Sequence, residues 1–432
     1  MDVKKAAPWI ERILWLAVIT VVAGTMFLVG RNVMLRRPYR MVSAEVIHIY
    51  MAVSTLPTLY ANLHFLSHNN PSYMYLGRAG TFNFDMTPDH VQPFMLPGSG
   101  TPQEVAESTR QLIANLEDYN NGESKFHFYI QDAMVLIAFY ALLGNEIPED
   151  RFHITMFTSG EAWYSDSTAN LAGSNGLSEF QTIQQELEDF KERVTTDTIT
   201  LEDYTKMWIN RRHGYAAALL PNVEHWSPFP EYKFMADHFE QELKSTLLRG
   251  TFTRRSAQDL LNRLNPEMRE VFFAATIGSP DFTVGTQQIR TFLENYRDKP
   301  VMIITGTGHA THLEHDFYDT ILDQLVYEFG DYYTLMFKPH PVEMPTGDRR
   351  IPFDSRGIYI LPAILPIEIV MWEFPEFKIG GFSSSLFMSM TAEQVRFFIG
   401  RVGWGYPWGG TLQFLWDNGF FAYVGNNRFG NF

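Results

Sequence analysis

The residue whose surroundings most suggest chemistry is His340, which stands between Pro339 and Pro341 and follows Lys338. Proline fixes its own φ and restricts the residue before it, so this imidazole is expected to be held in one place. A fixed imidazole beside an ammonium group suits the binding of a phosphate, or the protonation of a phosphate leaving group. The alternative is a stiff turn that follows a strand and exposes its histidine.

Two further segments have side chains that suit a phosphorylated nucleoside. Residues 380–385 (GGFSSS) place glycines, which permit close backbone approach, ahead of serines whose hydroxyls and amides can donate to an anion. Glu368 lies in an apolar stretch, where a carboxylate needs a partner, and the diol of a ribose would provide one. The alternatives are an ordinary helix cap and an acid favoured by the helix dipole.

Acidic residues that could accept a proton occur in the first half of the chain. Asp132 opens a helix after one predicted strand, and Glu161 and Asp166 follow the next strand. These are the available carboxylates for base chemistry. Taken singly, each also fits a helix cap or a solvated loop acid.

A second group of polar residues crowds one loop and helix start. Helical spacing could bring two imidazoles onto one face, but the group does not match the His-Glu-x-x-His pattern of metal sites. We therefore expect a polar cleft wall and no metal site there. The group consists of His309, His312, Glu314, His315 and Asp316.

The elements that must position these residues follow from the hydrophobic pattern. Short apolar runs alternate with helical stretches, which is typical of parallel, doubly wound α/β sheets. Three loops then follow strand carboxyl ends, where such sheets bind ligands: Gly306–His309, Lys338–Pro341 and Gly380–Ser385. In the first loop, Gly306 and Thr307 are the candidate binding residues. We predict a nucleotide or phosphate site at this edge. The predicted strands are residues 45–52, 125–130, 151–157, 301–305, 332–337, 357–361, 377–381 and 395–400.

Composition excludes several classes of protein. The 432 residues are 45% hydrophobic and 15% aromatic, which is incompatible with a disordered chain. The net charge of −15 argues against nucleic acid as a partner. The chain has no cysteine, which excludes disulfides, thiolate zinc sites, iron–sulfur clusters and a cysteine nucleophile.

An apolar run near the amino terminus predicts a membrane anchor. The run from Ile13 to Gly30 has no charged residue, and about 20 apolar residues cross the hydrocarbon of a bilayer. The run ends in bulky residues and is followed by an arginine cluster, where a cleaved signal peptide would have a small-x-small site. We expect a single-pass anchor in the lipid bilayer. Either orientation is open, with a cytosolic body at the inner membrane or a luminal body of the Golgi type.

The stretches after Pro300 that carry a family likeness are residues 303–307 (IITGT), 333–341 (YTLMFKPHP), 365–372 (LPIEIVMW), 377–389 (FKIGGFSSSLFMS) and, more weakly, 415–417 (LWD). With these stretches, the second α/β region, which starts at Pro300, resembles the bacterial sialyltransferases of glycosyltransferase family 80. A thinner likeness in the first α/β region covers residues 46–59, an opening strand followed by a Ser-x-Leu-Pro turn.

This resemblance implies a GT-B fold, in which two Rossmann-like domains face a cleft. It also implies transfer of sialic acid from CMP-sialic acid to a glycan acceptor, without metal or further cofactor. By position, His340 matches the histidine that contacts the donor phosphate and assists CMP departure, and Glu368 matches the acid that holds the ribose. Ser384 and Ser385 match the phosphate-binding pair.

One segment departs from the family. The family has a Tyr-Asp-Asp-Gly-Ser type segment after the third strand, and its second aspartate is the general base. Here residues 157–161 read FTSGE, so Ser159 stands at the base position, where it cannot accept a proton at neutral pH. Either Asp132 or Glu161 supplies the base, or the acceptor and linkage differ, or catalysis is weak or lost.

The expected organisation has five parts. These are a tail with the anchor (1–41), an acceptor-side Rossmann-like domain (42–176), a helical connecting region (177–299), a donor-binding Rossmann-like domain (300–400) and a carboxyl-terminal segment packing on the body (401–432). In the connecting region, Ser178 and Gln181 predict a capping box at a helix start. The alternatives to a sialyltransferase are a GT-B transferase for another nucleotide sugar and an inactive anchored glycan- or nucleotide-binding relative.

Overall fold

The computed structural model describes residues 39–399 except 78–81, 96–97, 158–174, 210–213, 215–222, 228–250, 278–286, 288, 292–293, 295–298, 307–314, 341–355, 363–364, 383 and 391–392. The run from Ile13 to Gly30 and the expected site residues Glu161 and Thr307 lie outside this part of the chain. Within it, no helix has both the length and the apolar character needed to cross a bilayer. The anchor therefore stays a prediction.

Within the described residues, the first sheet has seven strands, and every neighbouring pair is parallel. They are β1 (Val46–Ala52), β2 (Ser72–Leu76), β3 (Val91–Pro93), β4 (Lys125–Gln131), β5 (Phe152–Phe157), β6 (Val223–Ser227) and β7 (Thr251–Arg254). The order across the sheet is β3-β2-β1-β4-β5-β6-β7. The predicted strands β1, β4 and β5 are confirmed and form its centre.

The region between residues 177 and 299 differs from its helical prediction, because β6 and β7 complete the first sheet from within it. Both strands are short and mix polar with apolar residues (VEHWS and TFTR), so their hydrophobic pattern does not stand out. The helices on this side of the chain are α1 (Thr55–Phe65), α2 (Pro102–Tyr119), α3 (Val135–Leu143), α4 (Gly176–Thr195), α5 (Leu201–Ile209), α6 (Ala257–Arg263) and α7 (Pro266–Ile277).

Helix α4 has the apolar stripe that the sequence predicts but begins at a different residue. Its apolar stripe from Phe180 to Val194 is buried as the spacing predicts. The predicted capping box is wrong, because Asn175 precedes the first helical residue and Ser178 lies inside the helix. There the carbonyl of Ser178 accepts a hydrogen bond from the hydroxyl of Thr182.

The second sheet is also parallel throughout, in the order β10-β9-β8-β11-β12. All its strands were predicted, because buried parallel strands appear in the sequence as short continuous apolar runs. The strands are β8 (Val301–Thr305), β9 (Thr334–Lys338), β10 (Tyr359–Ile360), β11 (Lys378–Phe382) and β12 (Val395–Ile399). The associated helices are α8 (His315–Phe329) and α9 (Ile367–Glu373).

Helix α7 contacts both halves of the described chain. The carbonyl of Ala275 accepts a hydrogen bond of 2.9 Å from the amide of Asn83, which precedes β3. The ring of Phe272 lies 6.2 Å from that of Trp372 on α9. One hydrophobic core therefore continues from the first sheet through α7 to α9 and to one face of β8.

His225 on β6 is a fully buried imidazole in the first sheet. Burial lowers the pKa of His225 to about 3, although the carboxylate of the adjacent Glu224 favours the charged form. The folded protein therefore holds this side chain neutral at a pH where histidine in an unfolded chain is protonated.

Replacing His225 with leucine is expected to weaken the acid dependence of stability. Below pH 6.5 the unfolded chain binds a proton that folded His225 excludes. The free energy of unfolding therefore decreases as the pH is lowered. Between pH 7 and pH 5 this group costs up to about 2 kcal/mol. Urea titrations should show a smaller pH difference for His225→Leu, whereas Val223→Ala should keep the wild-type difference. An unchanged pH difference in His225→Leu would contradict a neutral buried imidazole.

Candidate functional site

Strand register brings the predicted loops of the second region to one sheet edge. Thr305, the last residue of β8, pairs with Lys338 on β9 and with Gly381 on β11. The amide of Gly306 donates a hydrogen bond of 2.9 Å to the carbonyl of Lys338. The segments that begin with Gly306, His340 and Ser384 therefore leave the sheet side by side.

The two glycines of β11 are required by packing, a reason different from the ligand approach that the sequence suggested. Gly381 has φ +129°, and a Cβ there would lie 2.4 Å from the carbonyl oxygen of Thr305. A Cβ on Gly380 would lie 2.4 Å from the ring of Phe397. Real Cβ atoms do not approach other atoms this closely, so β11 can lie between its neighbours only with glycine at both positions.

Lys338 places a desolvated positive charge at this edge. Its side chain is buried, and its ammonium group donates a hydrogen bond of 2.8 Å to the carbonyl of Pro339. His340 is half-buried two residues further on. A cation held against the backbone of the histidine loop favours binding of an anion beside that loop.

Glu368 and Ser384 lie on neighbouring short helices. Glu368 is buried in the first turn of α9, where the dipole favours a carboxylate. Ser384 caps the 3₁₀ helix Ser385–Ser389, and its hydroxyl accepts a bond of 3.4 Å from the amide of Leu386. Because α9 contacts this 3₁₀ helix, the acid and the serine pair belong to the same corner of the second sheet.

Asp132 lies at the carboxyl end of β4, on the edge of the first sheet where it was expected. It is 1% exposed, and its Oδ1 accepts a bond of 2.9 Å from the amide of Ala133. The chain at Gly214 covers it, since a Cβ there would lie 2.8 Å from the carbonyl oxygen of Asp132. A role for Asp132 as base stays a prediction that requires this cover to admit an acceptor hydroxyl.

Sequence reasoning missed Gln131, which fixes the turn after β1. Its side-chain oxygen accepts hydrogen bonds from the amides of Val53 (2.9 Å) and Ser54 (3.0 Å). The carboxyl ends of β1 and β4 are thereby held together. A single glutamine at the end of an apolar strand gives no sequence signal for this role.

Sequence reasoning also missed a row of histidines that lies towards the amino ends of three strands of the first sheet. His48, His127 and His153 lie side by side on β1, β4 and β5, and we call them the histidine ladder. A repeated His-x-Tyr or His-x-Thr in three predicted strands was the available signal, but only strand register brings the copies together. The next row of the sheet consists of Tyr50, Tyr129 and Thr155.

His127 of the ladder belongs to a chain of hydrogen bonds that runs from Tyr129 to Glu224. His127 Nε2 lies 2.8 Å from the hydroxyl of Thr155, which donates to Glu224 at 3.2 Å. The hydroxyl of Tyr129 lies 3.2 Å from His127 Nδ1, so both ring nitrogens have partners. Burial would raise the pKa of Glu224, but hydrogen bonds from its neighbours outweigh burial and lower it to about 2.

Comparison with solved structures identifies the class of fold. The chain is similar to an α/β-galactoside α-2,3-sialyltransferase from Photobacterium phosphoreum, with 13% identity, TM-score 0.62, and coverage of 88% of this chain and 99% of that one. It is also similar to the GT-B domain of a sialyltransferase from Photobacterium damselae, with 15% identity, TM-score 0.55, and coverage of 83% and 91%.

A third similar structure is a 2,6-sialyltransferase from Photobacterium sp. JT-ISH-224 in complex with CMP and lactose. It has 16% identity and TM-score 0.57, and the match covers 83% of this chain and 72% of that one. At these identities the likeness establishes the fold alone, two parallel α/β sheets consistent with the GT-B arrangement. No protein-family model matches the chain, and no curated protein matches it.

Replacing Gly381 with alanine should unfold or strongly destabilise the second sheet. The new Cβ would meet backbone atoms of Thr305, which cannot move without separating β8 from β11. We expect a loss of at least about 3 kcal/mol in the free energy of unfolding. Gly357→Ala is the matched control, because φ is +70° there and nothing lies within 4 Å of the added Cβ. It should cost only about 1–2 kcal/mol, and equal losses would contradict the packing argument.

Proposed function

We propose that this protein is a glycosyltransferase that transfers sialic acid from CMP-sialic acid to a glycan hydroxyl with inversion. The observation that carries the proposal is the gathering of the Lys338–His340 loop, Gly306 and the Ser384–Ser385 pair at one sheet edge. The neighbouring helix start holds the buried Glu368. The likeness in fold to three sialyltransferases supports this choice.

The proposed roles follow the charge that develops when the donor breaks. The acceptor oxygen attacks the anomeric carbon while the bond from that carbon to the phosphate oxygen breaks, and CMP leaves with the bonding electron pair. Negative charge therefore grows on the phosphate, where donors that are already in place stabilise it best. His340 and the two serines would supply these donors, the charge of Lys338 would assist, and Glu368 would accept from the ribose hydroxyls.

The acceptor proton needs a base from the first half of the chain. Asp132 and Glu161 are the proposed candidates, because Ser159 cannot serve at neutral pH. The acceptor itself is proposed only as a glycan hydroxyl. Transfer is proposed to need no metal, since the leaving phosphate would be stabilised by side chains.

Replacing His340 with alanine should lower transfer from CMP-sialic acid by at least about 100-fold, because the departing phosphate loses its imidazole donor. Initial rates with lactose as acceptor would measure the effect. Tyr327→Ala is the control, since that side chain of the same domain is 83% exposed. Full activity of His340→Ala would refute the assigned role, provided that the wild type transfers sialic acid.

Replacing Glu368 with glutamine should weaken CMP binding about tenfold, because an amide accepts less strongly than a carboxylate from the ribose hydroxyls. The shift in unfolding temperature across a CMP titration would give the affinity. Asp323→Asn, which changes an exposed acid on α8, should bind CMP like the wild type. Equal CMP affinity for all three proteins would rule out Glu368 as the ribose acceptor.

Two alternatives are separated by the same assays. A GT-B transferase for another nucleotide sugar would be stabilised by a nucleotide other than CMP. An inactive glycan- or nucleotide-binding relative, suggested by Ser159, would bind CMP without transfer or donor hydrolysis. Release of CMP from CMP-sialic acid by the purified protein would eliminate this second alternative.

A further inference from the structure

We propose that the first sheet binds one divalent transition-metal ion of the zinc class through His48, His64, His68 and the hydroxyl of Tyr50. His48 lies near the amino end of β1, and His64 lies in the last turn of α1. The site therefore lies towards the amino ends of the strands, whereas Asp132 and Gln131 lie at their carboxyl ends. It is independent of the proposed transfer reaction.

The geometry rests on four side-chain atoms, His48 Nδ1, His64 Nδ1, His68 Nε2 and Tyr50 Oη, which we call the four-atom group. Tyr50 Oη lies 2.8 Å from the nitrogens of His64 and His68 and 3.4 Å from that of His48. The nitrogens of His48 and His68 are 3.0 Å apart. All three histidines offer a ligand atom within 4.8 Å of the others.

These separations are close to those of a tetrahedral metal site. With zinc–nitrogen distances of about 2.0–2.1 Å, ligand atoms in a tetrahedron lie about 3.3 Å apart. The shortest contacts of the four-atom group need to lengthen by only about 0.5 Å to reach that value. Three imidazoles and a phenol oxygen suit zinc, copper or cobalt better than magnesium or calcium, which prefer carboxylates and water.

Proton positions show why a cation fits this space. The backbone amide of Asn70 donates to His68 Nδ1 at 3.1 Å, so the ring proton of His68 lies on Nε2. That proton and the hydroxyl proton of Tyr50 can make two strong hydrogen bonds. The four-atom group has four close contacts, which two protons cannot all bridge, whereas one metal ion could bind all four atoms once His68 Nε2 has lost its proton.

Metal binding requires rearrangement at both His48 and His68. The side-chain amide of Asn70 lies 3.3 Å from His48 Nε2, and it must turn away when His48 binds the ion through Nδ1 and carries its ring proton on Nε2. When the ion binds His68 Nε2, the ring proton moves to Nδ1, and the hydrogen bond from the Asn70 backbone amide must open. The hydroxyl proton of Tyr50 goes to solvent when its oxygen becomes a ligand. Ser67 and Asn70 are exposed, so the turn after α1 can adjust and offers the ion a path from solvent.

Burial favours the neutral imidazoles of this set, although it also raises the pKa of Tyr50, whose oxygen must lose a proton to become a ligand. It lowers the pKa of His48 to about 4 and that of His68 to about 3, with neighbouring imidazoles adding to the effect. Neutral imidazoles have the lone pair that a metal needs. The neighbouring group of His127, His153 and Glu224 is less suitable, because the hydroxyls of Thr155 and Tyr129, which lie outside that group, complete the hydrogen bonds of His127 without an ion.

The test uses the full chain, freed of affinity tags and treated with a chelator, and titrates it with Zn²⁺, Co²⁺ and Mg²⁺. We expect one equivalent of Zn²⁺ with a Kd of about 10 μM or tighter by competition with a chromophoric chelator. Co²⁺ should give the intense visible absorption of tetrahedral coordination. Zn²⁺, but not Mg²⁺, should raise the unfolding temperature by several degrees.

Variants then locate the ion. His64→Gln and His68→Gln should each weaken Zn²⁺ binding at least tenfold, and Tyr50→Phe should alter the Co²⁺ spectrum. His153→Gln, a ladder histidine outside the four-atom group, should bind like the wild type. Circular dichroism would establish that each variant is folded.

The proposal is overturned by any of three results. These are a Zn²⁺ Kd weaker than about 100 μM, tight binding that survives both His64→Gln and His68→Gln, or loss of binding in His153→Gln. The CMP-dependent thermal shift of the same variants should equal that of the wild type. Failure of the metal site and failure of the transfer function are therefore distinguishable.

Discussion

The pairing of Thr305 with β9 on one side and β11 on the other is the constraint on which the candidate donor site depends. Its hydroxyl lies 3.3 Å from the carbonyl of Gly380 and 3.2 Å from that of Phe382. β11 comes close enough for these contacts because Gly380 and Gly381 have no side chain. Strand β8 therefore brings together the segments that carry His340, Glu368 and Ser384, which are separate along the chain.

The second sheet could be predicted from sequence because its central strands β8, β9 and β11 are buried on both faces. Val301–Thr305 was predicted with its exact bounds, and the site loops followed from the strand ends. The function of the glycines could not be predicted, since close packing against Thr305 and close approach of a ligand require the same residue. The hydrogen bonds of side chains, such as the one from Lys338 to the carbonyl of Pro339, could not be predicted either.

The first sheet was harder to predict for two physical reasons. Strands such as β3 and β7 are short, and β6 carries Glu224 and His225 among its apolar residues. The histidine ladder depends on strand register, which brings together residues far apart in sequence. Local pattern reveals a strand and its two faces, but it contains no information about which strand will be its neighbour.

Helix α7 has a mechanical consequence for the whole chain. Through Phe272 it packs on Trp372, and one turn later the carbonyl of Ala275 holds Asn83. A hinge motion that separated the two sheets would have to peel an aromatic ring from its neighbour or break a backbone hydrogen bond. Opening and closing around a substrate would therefore be resisted at α7, and strain would concentrate in that helix.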